Sequence, residues 1–340
     1  MKILIYTQFF FPDVGGSEVF IDGLASEFLR LGHQVTLITN VVDDKKNESQ
    51  YPYRIIRSPT DLIFAREIFF TDIFLNLNPL AKKISWIIPT LIRKPWCVST
   101  HIEWRIKNFT LKQKIACRLI ENIPHIVPSE YMRQVSPFDA EVIYDFYFHE
   151  FFYSLPHQKR SKDLVFVGRL VRDKGVDVLI SAVKLLRDKG YNYRLTIIGD
   201  GPEKSGLIDL AGKDMVDSQI FFIGKKSQAE IADILRIHEV IVIPSRWNES
   251  FGIVALEGIA CGCIPIGSNS GGLPEAIGDC GYTFSANDPF DLAEKIKVVL
   301  SEDGQRNLLR NKAQEHLRRF RRRDIAEKYL SIMYKAVQRK

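Results

Sequence analysis

The chain of 340 residues reads as an α/β protein with two parallel-sheet domains, and three observations predict this. Short apolar, strand-like runs alternate with helical patterns over nearly the whole length. A polar segment, Ser154 to Lys162, interrupts that alternation near the middle. Several strand-to-helix turns carry glycine, alone or paired, as turns at the carboxyl ends of parallel strands do. Length agrees, because a single core stops growing beyond about 250–300 residues.

Composition narrows the class. With 46% hydrophobic and 26% charged residues the chain is globular. No apolar run reaches the roughly 18 residues of a membrane span. The start, Met1 to Tyr6, is expected as a first buried strand, which explains it better than a leader does, since Gln8, Pro12 and Asp13 interrupt it before any small-residue cleavage site. Five cysteines have no metal spacing and are odd in number, so they are expected as reduced thiols in a cytoplasmic protein. The net charge of +6 permits an anionic substrate or an anionic membrane surface and requires neither.

The first domain is expected over 1–153. Lys2 to Tyr6 forms a strand, a helix follows to about Leu31, and Val35 to Thr39 is the next strand. Gly15 and Gly16 open that helix. They lack the third glycine of the dinucleotide fingerprint, which disfavours a nicotinamide cofactor, but they suit a backbone that approaches a phosphate or a plain tight turn. Val41 to Tyr53 reads as loop and Arg54 to Arg57 as strand. Asp61 to Trp96 reads as core helices with a basic rim that includes Lys82, Lys83, Arg93 and Lys94, with a membrane-docking surface as the rival account. Cys97 to Thr100 is a strand leading into His101, a position where structural and functional histidines are about equally expected. His125 to Pro128 is a further strand, and Ser129 caps the helix after it.

The second domain is expected over 154–322. It opens with the strand Leu164 to Val167, the turn Gly168-Arg169-Leu170 with Lys174-Gly175, and a helix from Val176. Arg169 and Lys174 flank a strand-to-helix turn, where a guanidinium fork and a point charge can clamp a diphosphate. Strands follow at Arg194 to Ile198 and at Ile220 to Ile223, the latter before Gly224. The run Val240 to Ile243 leads into Pro244-Ser245-Arg246-Trp247-Asn248-Glu249-Ser250-Phe251-Gly252, then Ile253 to Leu256, Glu257 and a stop at Cys261-Gly262. Ser250 is the expected N-cap of a helix carrying Glu257, whose free N–H groups, with those of Phe251 and Gly252, form an anion site. At about 1.5 Å per residue, helical rise would separate Glu249 and Glu257 by roughly 12 Å, the span of an extended ligand with phosphate in its middle. The bland alternative is two solvated glutamates. A second glycine pair, Gly271-Gly272, precedes Leu273-Pro274-Glu275. The run Arg318 to Arg323 is strongly basic, but no recognised nucleic-acid module accompanies it. The final helix, within 323–340, spaces Ile325, Leu330, Met333 and Val337 as a core stripe.

Taken in order, Gly168-Arg169-Leu170 with Lys174-Gly175, Pro244-Ser245 through Glu249-Ser250-Phe251-Gly252 to Glu257, and Gly271 to Glu275 resemble glycosyltransferase family 4 over nearly the whole chain. The resemblance implies the GT-B arrangement, two Rossmann-like domains facing a cleft, with the last helix returning to the first domain. It implies a retaining transferase that takes a hexose from a nucleotide-sugar, with UDP-glucose or a related UDP-hexose favoured. The acceptor is a growing glycan or lipid-linked saccharide in polysaccharide biosynthesis. No metal or cofactor is implied, the nucleotide-sugar being a substrate. By the same resemblance Arg169 and Lys174 hold the diphosphate, and Glu249 binds the sugar with Phe251 and Gly252. Glu257 binds the ribose, Gly15 and Gly16 sit by the phosphates, and His101 approaches the reacting carbon. Gly224, Ser250 and Ile253 complete the expected donor contacts. The chain departs from the family at Tyr144-Asp145-Phe146-Tyr147 and at Ile102-Glu103 after His101. A nucleotide-sugar 2-epimerase and a non-catalytic nucleotide-sugar-binding subunit are the competing readings. Cytoplasmic location, with peripheral contact at the inner membrane face as an option, and no nucleic-acid partner complete the expectation.

Overall fold

A computed structural model describes the chain except residues 13–14, 43–47, 49–50, 79–87, 105–109, 156–157 and 339–340, and except the side chains of 112–114 and 116. Lys82 and Lys83 of the expected basic rim, much of the expected loop 41–53, and Pro156 and His157 of the expected linker lie outside the described residues.

The elements run β1 (Lys2–Thr7), α1 (Gly16–Arg30), β2 (Gln34–Thr39), β3 (Arg54–Arg57), α2 (Asp61–Phe70), β4 (Ile73–Leu77), α3 (Ile88–Leu91), β5 (Trp96–Ser99), α4 (Leu111–Ile120), β6 (His125–Val127), α5 (Glu130–Val135) and β7 (Ala140–Val142). They continue with β8 (Lys162–Val167), α6 (Val176–Asp188), β9 (Leu195–Ile198), α7 (Lys204–Lys213), β10 (Ile220–Phe222), α8 (Gln228–Arg236), β11 (His238–Ile243), α9 (Ile253–Ala260), β12 (Ile264–Ser268), α10 (Leu273–Ile277), β13 (Tyr282–Phe284), α11 (Pro289–Ser301), α12 (Asp303–Leu317) and α13 (Arg322–Gln338). Two compact units result, one of Met1–Phe146 with Arg322–Lys340, the other of Tyr147–Arg321.

The first unit holds a seven-stranded parallel sheet in the order β3-β2-β1-β4-β5-β6-β7. On one face Leu4, Tyr6, Phe74 and Val98 meet Phe64 and Ile68 of α2 and Ile120 of α4. Helix α13 lies against α1 and β5. Its Tyr329 is fully buried and shares a 2.8 Å hydrogen bond with Ser99, while Arg322 pairs with the buried Glu27 at 3.0 Å. Strand β4 corrects the reading of Asp61 to Trp96 as helices alone. Every residue of Ile73–Leu77 is buried, so the run lacks the alternation that marks a half-exposed strand, and periodicity does not separate such a run from a buried helix.

The second unit holds a six-stranded parallel sheet in the order β10-β9-β8-β11-β12-β13. Helix α6 repeats Val176, Leu179, Val183 and Leu186 at three- and four-residue spacing, and that stripe packs with Leu164, Phe166 and Ile197 of the sheet. Removing each such side chain from water contributes about 1.5–3 kcal/mol. The unit starts at Tyr147, ahead of the polar segment that predicted the boundary. The reason is a cation: Arg236 of α8 donates to the carbonyls of Phe151 and Tyr153 at 2.5 and 3.0 Å and stacks on the Tyr153 ring, which ties 151–153 to the second unit. Among the strands, β13 was also not foreseen; it is short, and only Phe284 is fully buried.

Both sheets change direction of strand addition at one point, between β1 and β4 and between β8 and β11. In open α/β sheets the crevice beyond the carboxyl ends at that point is where ligands bind. In the second unit the turns at these ends touch backbone to backbone. A Cβ on Gly199, at φ +141°, would stand 1.9 Å from the Gly168 carbonyl oxygen, and one on Gly175, at φ +63°, 2.0 Å from that of Pro244. Gly224 also has positive φ, +73°, but open space around it. Gly199→Ala is therefore expected to cost more than about 3 kcal/mol, and Gly224→Ala only about 1 kcal/mol. Thermal unfolding of the two variants measures the difference; equal losses would show that the Gly168–Gly199 contact does not constrain the fold.

Candidate active site

Strand β8 ends at Val167, and the chain turns through Gly168 and Arg169 into a single 3₁₀ turn, Arg172–Lys174, closed by Gly175. Strand β11, its neighbour across the switch point, ends at Ile243 and delivers Pro244 to Gly252 alongside. The backbone N–H of Arg246 donates to the Asp173 carbonyl at 2.8 Å, and the Arg246 guanidinium grips the Asp177 carboxylate with two bonds of 2.7 and 2.5 Å. These contacts fix the two loops together. Lys174 Nζ then donates to Glu249 Oε1 at 2.5 Å, and Ser245 Oγ donates to the same oxygen at 2.5 Å. Arg169 is exposed and forms no ion pair among the described residues. The two cations expected to clamp a diphosphate thus differ: one is held by Glu249, the other is available.

Glu249 is held from its other side as well. Its backbone forms a parallel bridge with Gly271, and its carbonyl accepts from Gly272 N–H at 2.7 Å. A Cβ on Gly271 would stand 2.2 Å from that carbonyl oxygen, so the second glycine pair serves as a backbone seat for Glu249. Burial pushes the Glu249 carboxyl up, while the Lys174 ammonium and the hydrogen bonds of Lys174 and Ser245 more than reverse this, leaving it below the ordinary carboxylate range. It is an ionised acceptor.

The bridge corrects the sequence reading of the helix start. Ser250 does not cap α9. After the bridge at Glu249 the chain bends through Ser250 and Phe251, the latter fully buried against Phe320, and the helix begins only at Ile253 after Gly252 turns at φ +115°. The free N–H groups of the first helical turn therefore start at Ile253, and the roughly 12 Å separation computed from helical rise does not apply, because Glu249 lies outside the helix. The far end agrees with expectation: Gly262, at φ +82°, donates to Ile259 and Cys263 N–H to Gly258, closing the helix in a Schellman turn. Glu257 sits in the middle of α9, partly exposed, with no hydrogen-bond partner among the described residues, and burial pushes its carboxyl up to about 8. An unsatisfied carboxyl of this kind suits a ligand diol.

In the first unit Gly15 is the N-cap of α1 and Gly16 its first residue, at the carboxyl side of β1; a Cβ on Gly15 would meet Glu18 Oε2 at 2.7 Å, and one on Gly16 would meet nothing. His101 lies just beyond β5 with its side chain turned inward. Its Nε2 is hydrogen-bonded to Ser99 Oγ at 3.0 Å, its Nδ1 stands 3.4 Å from Asp145 Oδ1, its N–H donates to Asn78 at 2.6 Å, and the Phe20 ring covers it. In this arrangement the imidazole is part of a buried polar cluster. The two departures from the family pattern meet here: the acid absent after His101 is matched in space by Asp145.

Sequence reading missed Asp145, Ser99, Ser245 and the Asp177–Arg246 fork. Ser245 stood in the quoted motif without a role. The other pairings join residues 44 to 69 positions apart, or within a buried strand end, and no local spacing marks them.

Residues 148–316, nearly the whole second unit, match the family described as glycosyl transferases group 1. N-acetyl-alpha-D-glucosaminyl L-malate synthase of Bacillus anthracis is 26% identical, with 95% of each chain covered. An uncharacterized glycosyltransferase of Methanocaldococcus jannaschii is 37% identical over 158 residues, 46% of this chain and 43% of that protein. Against several of its curated relatives the chain thus aligns over less than half of their length. Among solved structures, a glycosyltransferase from Rickettsia africae superposes with a TM-score of 0.85 at 18% identity, covering 100% of this chain and 99% of that one. Anabaena HepE, in complex with UDP and glucose, superposes at 0.81 with 17% identity, covering 98% and 100%. The fold is that of the GT-B glycosyltransferases, and the match to the glycosyl transferases of group 1 lies within the second unit.

Two expected outcomes follow from the site. His101→Ala removes a hydrogen-bond partner of the buried Ser99 and the neighbour of Asp145, and is expected to destabilise the protein by roughly 1–3 kcal/mol; a variant as stable as the parent in denaturant melts would show that the cluster contributes nothing to the fold. For Glu257 the folded-state pKa of about 8 lies above the ordinary 4.5, so its contribution to stability is full below pH 4.5 and is lost as pH rises to 8. The melting temperature of Glu257→Gln, relative to the parent, is expected to rise across that window, and a flat difference would refute the shift.

Proposed function

We propose that the chain is a retaining glycosyltransferase that moves a hexose from a nucleotide-sugar to a growing glycan or a lipid-linked saccharide, with UDP-glucose or a related UDP-hexose as the favoured donor. The observation that carries this is the ionised Glu249, joined to Lys174 and Ser245 and seated on the Gly271-Gly272 backbone, beyond the carboxyl ends of β8 and β11. In this reading a donor diphosphate draws Lys174 toward itself alongside the exposed Arg169, and Glu249 accepts hydrogen bonds from hydroxyls of the hexose. Glu257 of α9 accepts from the ribose hydroxyls. Anabaena HepE, of the same fold, has been crystallised with UDP and glucose, which supports a uridine donor.

The reaction breaks the bond between the anomeric carbon and the diphosphate oxygen and forms a bond from that carbon to an acceptor hydroxyl oxygen on the same face. The acceptor proton passes to the departing phosphate oxygen. The charge that develops on the diphosphate is met by Arg169 and Lys174, two cations in place of a metal ion. His101 acts in this scheme through position, by holding the end of β5, and not by direct contact with the sugar.

The test is a calorimetric screen of UDP, GDP, ADP and their hexose conjugates, followed by turnover of the best donor. UDP and a UDP-hexose are expected to bind in preference to the others. Glu249→Ala is expected to lower kcat/KM by about 100-fold or more, and near-normal turnover in that variant would overturn the assignment of the sugar-binding carboxylate.

A further inference from the structure

We infer that a cavity of about 310 Å³ at the amino ends of β11 and β12 binds a small organic anion between the guanidinium groups of Arg160 and Arg310. Glu239, the second residue of β11, and Ile264, the first of β12, line this cavity. The candidate active site lies beyond the other ends of the same strands. Counted along β11 from Glu239 to Ser245 at about 3.3 Å per residue, the two places are roughly 20 Å apart. Arg160 comes from the polar segment that interrupts the strand and helix alternation. Its Nη1 donates to the carbonyls of His238 at 2.5 Å and Leu235 at 3.3 Å, and its Nη2 to that of Cys261 at 2.6 Å. Arg310 of α12 donates through Nε to the next carbonyl, that of Gly262, at 2.9 Å. Gly262 makes this approach possible, because a Cβ there would stand 2.3 Å from Arg160 Nη2. Two guanidinium groups thus grip successive peptides at the end of α9, where the helix dipole favours cations.

Helix capping explains why cations sit here, but it leaves their charge unmatched. Arg306 and Arg310 share one half-buried carboxylate, Glu239, and Arg306 has Asp303 as well. Arg160 has no carboxylate within ion-pair distance among the described residues; its donors meet carbonyl oxygens and, at 3.9 Å, the Cys263 sulfur. Burial depresses the pKa of its guanidinium, and the charge of Arg310 depresses it further. Arg310 Nη1 meets no acceptor among the described residues. An anionic head between the two groups offers the acceptor oxygens that both lack and relieves their repulsion. The opposite wall sets the rest of the ligand. Ile259, Ile264, Leu309 and Ala313 line it, which calls for an apolar body. At about 30 Å³ per water-sized group the cavity holds roughly ten such groups, so inorganic phosphate underfills it and a nucleotide-sugar is too large. A phosphate or carboxylate head on a small apolar body matches both walls. The helix that these guanidinium groups hold carries Glu257, so an occupant that draws on them acts at the end of that helix. Binding is measured without a nucleotide-sugar, so the inference stands or falls apart from the transferase reading.

The experiment is calorimetric titration of the purified protein, at constant ionic strength, with phenyl phosphate, benzoate, inorganic phosphate and benzyl alcohol. At least one of the two organic anions is expected to bind at least about tenfold more tightly than inorganic phosphate and than benzyl alcohol. Which of the two binds better tells whether the head is a phosphate or a carboxylate. Arg310→Gln removes one cation and leaves Glu239 its neighbour Arg306, whereas Ala313→Phe fills the cavity and changes no charge. Each is expected to weaken the organic anion by at least about tenfold. Arg169→Ser, at the other end of the sheet, is expected to bind it as the parent does. Thermal melts report whether each variant is folded, and if Arg310→Gln is not, Ala313→Phe carries the test. The inference is overturned by silence from both organic anions, by inorganic phosphate binding as tightly as they do, which would mean an adventitious ion only, or by benzyl alcohol doing so. Loss of binding in Arg169→Ser, or unchanged binding in a folded Arg310→Gln or Ala313→Phe, would overturn it equally.

Discussion

The second unit depends on backbone brought against backbone at the carboxyl ends of β8, β9 and β11. The Pro244 carbonyl occupies the space where a side chain at 175 would begin, and the Gly168 carbonyl does the same at 199. Only glycine leaves room there, and only glycine takes those positive φ angles without strain. This contact is what sets Lys174 within 2.5 Å of a carboxylate 75 residues later in the chain. With bulkier turns the two loops would part, and the ion pair would become two separate surface charges of little consequence.

Held in this way, the site combines rigid and available groups. Glu249 is fixed by its backbone bridge to Gly271, by Ser245 and by Lys174, so its carboxylate is oriented before any ligand arrives. Arg169 and Glu257 have no such partners among the described residues. The arrangement is asymmetric in charge: a cation and an anion are already matched, while one cation and one carboxyl of raised pKa await partners.

The first unit uses its buried polar groups differently. Tyr329 on α13 reaches Ser99, which reaches His101, which faces Asp145, the last residue but one of the unit's main segment. The cluster joins the final helix, the end of β5 and the segment leaving β7. Buried groups of this kind are costly unless matched. They specify one packing of the last helix.

Much of this protein was legible in its sequence because the features are local. Alternating strands and helices, the glycines at Gly168, Gly175 and Gly271, the Ser129 cap of α5 and the stop at Gly262 each depend on residues a few positions apart, where period and turn chemistry act. The residues Arg169, Lys174, Glu249 and Glu257 could be singled out by motif, but motif alone does not say which cation pairs with which acid. Tertiary structure decided that Lys174 and not Arg169 holds Glu249, that Gly252 rather than Ser250 is the N-cap of α9, and that His101 turns inward to Asp145. It also decided that the apolar run Ile73–Leu77 is a strand. Each of these outcomes turns on contacts across the sheet or between distant loops, where burial and backbone pairing override the local preference that sequence expresses.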